Sequence, residues 1–471
     1  MFVRVLKNHL LVMLILLCVP FIAHAGGPFI VTDDGEAATW DNTSAISYHP
    51  EDGTCGDFSN ETMLTKLSTS LLVWSGIDEV DITFTQVQGA IGQVNVDNYE
   101  DYLYLTSASS SSLLTDNINP VVFDDDGEIT AEVAGSGNQY FVLGFAGPAG
   151  FSDGGATIVD GQAVLNCLCL ESSTRSPCYV NGNQSVIEVT EDELEFTIVH
   201  EMGHFLNLDH SQVNKTLFNN SVASDDERIP IMFPIATDTD ASLVATTDDK
   251  ASLASLYPSD QLDAGWCFVT GTLLDSDGNE LACADVWAVP SSDTQIVSAV
   301  SGAYLVGSDA NDDSDRVDDG ECTDDCGYFQ MYLPEGQEYD ITVNAITSSF
   351  VGGSSVGPCV NGQLTTIEEE TVATVTSLQC TAGSTINLGT ISTSSTGGSS
   401  SSDSDDSGSS GSSGGAGSGG DSSQRNDDLN PVGYWCSLTP GVEPASFASL
   451  FALFSLPLLF IYFMRRRNSE S

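Results

Sequence analysis

Basic residues are scarce in this chain of 471 residues. Lys and Arg number 12 against 67 Asp and Glu, for a formal net charge of −55. Five of the twelve are terminal: Arg4 and Lys7 near the start, Arg465, Arg466 and Arg467 near the end. No basic surface remains to neutralise phosphates, which excludes a nucleic-acid binder held by backbone contacts. The same deficit disfavours docking on anionic lipid headgroups. Histidine is scarcer still, with six in the chain. Internal repeats are absent, and residues 262–391 hold neither a histidine nor a clear long amphipathic helix. What is plentiful is apolar residues, at 41%, enough to build real cores. The length suggests two to three domains. The acidic surface suits solubility in salt, or calcium binding by carboxylates.

Residues 1–25 read as a signal peptide. Arg4 and Lys7 form a positive start, an apolar stretch follows, and Ala23-His24-Ala25 is a small-x-small cleavage site before Gly26. A second apolar run, residues 446–464, is followed at once by the three Arg. As a helix it comes close to spanning the ~30 Å hydrocarbon core. The Arg cluster should then stay cytoplasmic, with the mature chain facing outward. Just before this run lies Gly433-Tyr434-Trp435-Cys436-Ser437-Leu438. A short Cys-containing motif, an apolar helix and an Arg cluster together resemble bacterial C-terminal sorting signals. That resemblance implies a C-terminal processing protease as a partner and a final place at the cell surface. A plain transmembrane anchor is the alternative, and both stay open.

Eleven cysteines follow residue 25. They fall as four (Cys55, Cys167, Cys169, Cys178), six (Cys267, Cys283, Cys322, Cys326, Cys359, Cys380) and one (Cys436). Even counts in two blocks of an exported chain read as disulfides, with the pairing left open. The same blocks define domains: residues 27–260, then 262–391, then a Ser-, Gly- and Asp-rich linker over 392–430, then the tail 431–471. In the first block, strands are expected over 46–48, 82–87, 120–123, 140–145, 156–159 and 163–168. Asn60 is placed to cap a helix carrying Leu64, Leu67, Leu71 and Trp74. Thr190 and Glu193 form a capping box before a helix to about Leu206, and a last helix runs from about Asp248 to Tyr257. The fold class is α+β, followed by an all-β domain.

The chemistry sits in His200-Glu201-Met202-Gly203-His204-Phe205-Leu206-Asn207-Leu208-Asp209-His210. Residues four apart share a helix face, so His200 and His204 can bind one metal ion. Glu201 points beside that metal, where it can hold a water. His210 supplies a third ligand and leaves a fourth position open, the catalytic arrangement of zinc. A continuous helix would carry His210 away, so the chain must turn, and Asn207 suits positive φ at that point. Three of the four histidines beyond residue 25 fall within these eleven positions; the fourth is His49.

This spacing, HExxHxxxxxH, resembles the metzincin metalloproteases. Ile231-Met232-Phe233-Pro234 resembles their Met-turn, with Met232 beneath the zinc. Asp248-Asp249 followed by Leu253, Leu256 and Tyr257 resembles the C-terminal helix of the matrixin branch. Trp40, residues 46–48 and Trp74-Ser75 match that branch loosely, so residues 38–258 are covered. The usual Gly of the motif is Asn207 here, no histidines match a second zinc site, and no cysteine-switch segment precedes Trp40. The resemblance implies a secreted, surface-tethered zinc endopeptidase acting on protein or peptide. In that mechanism zinc lowers the pKa of its water toward ~7, and Glu201 moves the water proton to the leaving amine. The strand over 140–145 is the candidate edge for extended substrate, by β-addition.

Residues 262–391 alternate as strands over 269–273, 284–288, 327–334 and 339–343. They resemble the carboxypeptidase regulatory-like β-sandwich, which implies spacing or adhesion. Asp124-Asp125-Asp126-Gly127 and the run 309–325 are acidic clusters, so calcium at Asp124 and Asp126 is a second metal expectation beside solvated loops. The competing function is a cell-surface binding or adhesion protein whose protease-like domain is latent or self-processing.

Overall fold

The computed structural model describes residues 27–31, 36–89, 91–105, 113–114, 116–152, 155–170, 178–180, 185–217, 222–236, 243–275, 278–282, 284–291, 295–302, 327–346, 372–393 and 434–437. The expected leader, the linker beyond 393, the apolar run 446–464, the acidic run 309–325 and Cys283, Cys322, Cys326 and Cys359 lie outside these residues. Among the described residues no helix is long and apolar enough to cross a membrane.

The chain is mixed α+β. The strands of the first unit are β1 (Thr39–Trp40), β2 (Ile46–Pro50), β3 (Phe84–Gln86), β4 (Pro120–Asp124), β5 (Val142–Ser152) and β6 (Thr157–Asn166), with a small pair, β7 (Cys178–Val180) and β8 (Ser185–Ile187). Its helices are α1 (Asn60–Ser75), α2 (Glu128–Ala134), α3 (Glu191–Phe205) and α4 (Thr247–Leu256). The second unit holds β9 (Trp266–Leu274), β10 (Ala284–Pro290), β11 (Val297–Val300), β12 (Tyr328–Pro334), β13 (Glu338–Ala345), β14 (Val372–Gln379) and β15 (Thr385–Ser392). A final short strand, β16 (Tyr434–Ser437), returns to the first unit.

The main sheet has the order β16-β5-β6-β4-β2-β3, with β1 beside β6. β1, β6, β4, β2 and β3 pair in parallel, whereas β5 runs antiparallel to β6 and β16 antiparallel to β5. β4 is buried along its whole length, as expected of a central parallel strand covered on both faces. Two expected strands, 156–159 and 163–168, are one strand, β6. Asp160-Gly161 reads as a turn in sequence, but Gly161 instead clears space for rings. A Cβ there would sit 2.7 Å from Phe205 Cε2 and 2.9 Å from Trp40 Cζ2. At 140–145 a 3-10 turn (Asn138–Tyr140) comes first and the strand begins at Val142. That strand is not an open edge at its start, because β16 pairs there.

α1 is capped by Ser59, whose side chain accepts from Thr62 N, rather than by Asn60. Asn60 Nδ2 instead donates to the carbonyls of Glu51 and Gly53, at 2.7 and 2.8 Å. The buried face carries Met63, Leu67, Leu71 and Trp74, with Leu64 only partly covered. α3 has the expected capping box between Thr190 and Glu193, and three acidic residues in its first turn complement the helix dipole. Lys66 of α1 reaches that turn through ion pairs with Glu191 and, at 2.6 Å, Glu195.

Cys55–Cys167 ties the loop after β2 to the end of β6, and Cys169–Cys178 closes a nearby loop. In the second unit Cys267–Cys380 joins β9 to the residue after β14. β11-β10-β13-β14 form one sheet and β12-β9-β15 another. Their buried residues, including Val269, Val286, Phe329, Leu333 and Ile341, belong to one apolar core. The units meet through α4, where Asp248 accepts from Ser298 N and Oγ at 2.6 and 3.1 Å. Lys215 Nζ donates to Ala345 O at 2.6 Å beside it.

Candidate metal centre

α3 places His200 and His204 one turn apart on a single face. The helix ends at Phe205, and Asn207 takes φ +73°, the left-handed turn expected of it. Asn207 N donates to His204 O at 2.8 Å and Leu208 N to Gly203 O at 3.0 Å, a closing arrangement typical of helix ends with a left-handed residue. The reversal carries His210 back beneath the helix. Ligand atoms of His200, His204 and His210 lie within 4.8 Å of one another. The three Nε2 atoms are separated by 3.2, 3.1 and 3.1 Å, and all three residues are fully buried.

The outer nitrogens fix what the inner ones present. His200 Nδ1 lies 2.7 Å from Ile231 O and His204 Nδ1 2.7 Å from Leu208 O. A carbonyl only accepts, so each Nδ1 carries the proton and each Nε2 turns a lone pair inward. Burial holds both rings neutral, lowering His200 to about 4, and His200 adds to the same effect on His204. Inward lone pairs this close repel unless a cation sits among them. Nitrogens ~2.05 Å from a tetrahedral centre stand about 3.3 Å apart, close to the observed spacing. The trio therefore fits one metal ion, with its remaining position on the side away from the ligands.

Glu201 is fully buried and packs on β5. A Cβ at Gly144 would lie 2.9 Å from Glu201 Cγ and 3.1 Å from Cδ. Gly144 is thus a site residue that the sequence reading missed. A glycine inside a strand pattern was the available signal.

Met232 is buried and packs against the motif helix at Gly203. A Cβ at Gly203 would meet Met232 Sδ at 2.3 Å, so the motif glycine and the methionine require one another. Ile231 O receives His200 Nδ1–H, and Ser211 N donates to Met232 O at 2.8 Å. Ile231 N and Met232 N donate to the two oxygens of Asp249, at 3.0 and 3.1 Å. Asp249 also closes the α4 capping box with Thr246. One carboxylate therefore links α4, the methionine turn and, through Ile231, a ligand histidine.

Asn207 does more than turn the chain. Its Oδ1 accepts from Ile30 N at 2.7 Å, and its Nδ2 donates to Ile30 O and Ala38 O at 2.9 and 2.7 Å. This clamp straps residues 27–31 and 36–38 across the motif, with Phe29 N on Asn207 O and Asp209 N on Gly27 O. The helix-end carbonyls are also answered. Trp40 Nε1 donates to Phe205 O and Tyr257 Oη to Leu206 O, both at 2.9 Å.

The carboxylates of 124–126 accept hydrogen bonds within the fold. Asp124 is buried, and its oxygens accept from Ile129 N, Thr130 N and Thr130 Oγ1 at 3.2, 2.7 and 2.6 Å. Asp125 accepts from Gly56 N and Asp126 from Glu128 N. Asp124 and Asp126 thus cap the start of α2, whose N-terminus favours negative charge. Among the described residues only the histidine trio groups three or more ligand side chains. His49 is elsewhere, its Nδ1 accepting from Asn119 N at 2.9 Å. No known family's sequence profile matches the chain, and no curated protein matches it.

Proposed function

We propose that residues 27–260 are a zinc-dependent endopeptidase of metzincin type, matrixin-like, carried outside the cell. The observation that supports it most is the convergence of three histidine Nε2 atoms at 3.1–3.2 Å beside the buried carboxylate Glu201. Imidazole ligands and near-tetrahedral spacing favour zinc among common metals. The run of parallel strands with antiparallel β5 and then β16 at one side, and Met232 packed at Gly203 of the motif helix, support the same family.

A zinc ion held by His200, His204 and His210 would supply Lewis acidity toward a water and a scissile carbonyl. The rest falls to the chain. Glu201 follows His200 in sequence and is wedged against Gly144, so its carboxylate is positioned before substrate arrives. It takes the proton of the attacking water and returns it to the leaving amine. The side of β5 on which β16 lies would offer backbone N–H and C=O groups to an extended peptide and align its bonds along the site. Fully buried ligand rings exclude water from behind the centre. Three disulfides fit an oxidising compartment.

The test is cleavage of a mixed peptide library by the mature chain from Gly26, beside Glu201→Ala, with chelation and zinc add-back. Cleavage should need both zinc and Glu201, and the variant should lose about 10²–10⁴-fold in rate. Folded, zinc-loaded protein that cleaves nothing would move the reading to a surface binding protein.

A further inference from the structure

Strand β16 is unexplained by hydrolysis alone. It comes from the far end of the chain yet pairs antiparallel with β5. Tyr434 stands opposite Ala146, Trp435 opposite Phe145, Cys436 opposite Gly144 and Ser437 opposite Val142. A strand has two hydrogen-bonding sides. β6 takes one side of β5 from Gly144 to Ser152, and β16 takes the other at the end that passes the histidines. Cα atoms of β16 also lie within 8 Å of α3. Cys436 is opposite Gly144, the residue against which Glu201 packs. Neighbouring strands are about 4.8 Å apart, so the backbone of β16 runs beside the metal centre. A substrate pairing with 142–146 would need the backbone groups that β16 already uses.

We infer that Tyr434–Ser437 is an in-cis occupant of the peptide-binding edge of β5 and blocks the site until it is displaced. This rests on the proposed reading that the edge receives substrate. Energetics make such a block both real and reversible. The net gain from each backbone hydrogen bond is small, and ordering each residue costs about as much or more. A free four-residue peptide would therefore bind weakly. Tethering changes this. The roughly 40 residues between β15 and β16 tether the segment to the same chain, and a tether of that length gives a local concentration of about millimolar order. At ~1 mM, a segment with a Kd near 0.1 mM holds the edge about nine-tenths of the time. A longer peptide that also pairs with the rest of β5 can displace it.

The test uses the chain from Gly26 to Ser471, with a specific-protease cleavage sequence inserted in the Ser/Gly-rich stretch near residue 410. Peptide cleavage is measured before and after the cut, with zinc content followed throughout. Trp435→Pro, which removes a strand N–H, is measured without cutting. A synthetic peptide of residues 432–439 is then added to the cut protein. Cutting, and Trp435→Pro alone, should each raise the rate about tenfold or more at constant zinc, and the peptide should reverse the gain. Equal rates in all active forms would overturn the inference. Self-cleavage within 433–438 would also overturn it, by making the segment a substrate. If every form binds zinc but cleaves nothing, the endopeptidase reading fails on its own. Hydrogen exchange at the amides of 142–146 then decides docking: faster exchange after the cut supports it, and unchanged exchange overturns it.

Discussion

Replacing Asn207 separates the two tasks that this residue performs for the metal centre. Alanine at φ +73° incurs the left-handed penalty, about 1–2 kcal/mol for a residue with Cβ. It also removes three hydrogen bonds. Ile30 O keeps a partner in Ala38 N at 3.0 Å, but Ile30 N and Ala38 O lose theirs. Each buried orphan costs about 1–3 kcal/mol. Asn207→Ala should therefore destabilise by about 3–8 kcal/mol, and Asn207→Gly by about 1–2 kcal/mol less because the backbone strain is absent. The assay is urea unfolding of the zinc-free chain, followed by zinc affinity of the folded fraction. Both variants should bind zinc more weakly, since the clamp and turn set where His210 returns, and alanine should be the worse. An alanine variant within 0.5 kcal/mol of the parent, with unchanged zinc affinity, would refute the reasoning.

Gly144→Ala places a methyl 2.9 Å from Glu201 Cγ; peptide cleavage should fall at least tenfold while zinc stoichiometry stays at one. Breaking Cys55–Cys167, which spans 112 residues, with a double Ser substitution should cost about 2–5 kcal/mol by thermal or urea unfolding. Asp248 is pushed up to about 7 by burial, with Asp249 and Asp285 adding to the shift and hydrogen bonds from Ser211 and Ser298 opposing it. Its folded value exceeds the usual carboxylate range, so its contribution to stability is full below about pH 4 and is lost as pH rises through about 7. Asp285, pushed up to about 6 with Lys215 opposing, acts in the same direction. Unfolding midpoints across pH 4–8 should fall less steeply in Asp248→Asn than in the parent, and equal slopes would count against the assignment.

The motif residues were legible in sequence because their spacing is itself the geometry. His200 and His204 needed only the helix period, and the return of His210 needed one residue that tolerates positive φ. The capping box at Thr190 was equally local. What sequence concealed was contact at a distance. Gly144 and Gly161 look like breaks in strand patterns, yet they are glycine because Glu201 in one case, and Phe205 and Trp40 in the other, approach the backbone. Asn60 looked like a helix cap because its residue type suits the role, but Ser59 took it and Asn60 turned to the loop after β2. The Asp124 run suggested calcium by composition, and its hydrogen bonds to helix N–H groups had no signature there. Nor could composition show that residues 434–437 pair with β5, because register between distant segments has no local signature.

The central claim is that three imidazoles hold one metal ion and that Glu201 serves the reaction without being a ligand. Zinc stoichiometry of purified parent, His204→Ala and Glu201→Ala chains tests it most directly, measured by elemental analysis after equilibration with micromolar zinc. The account predicts one zinc in the parent and in Glu201→Ala, and none retained in folded His204→Ala. Full zinc content in folded His204→Ala, or its loss in folded Glu201→Ala, would contradict it.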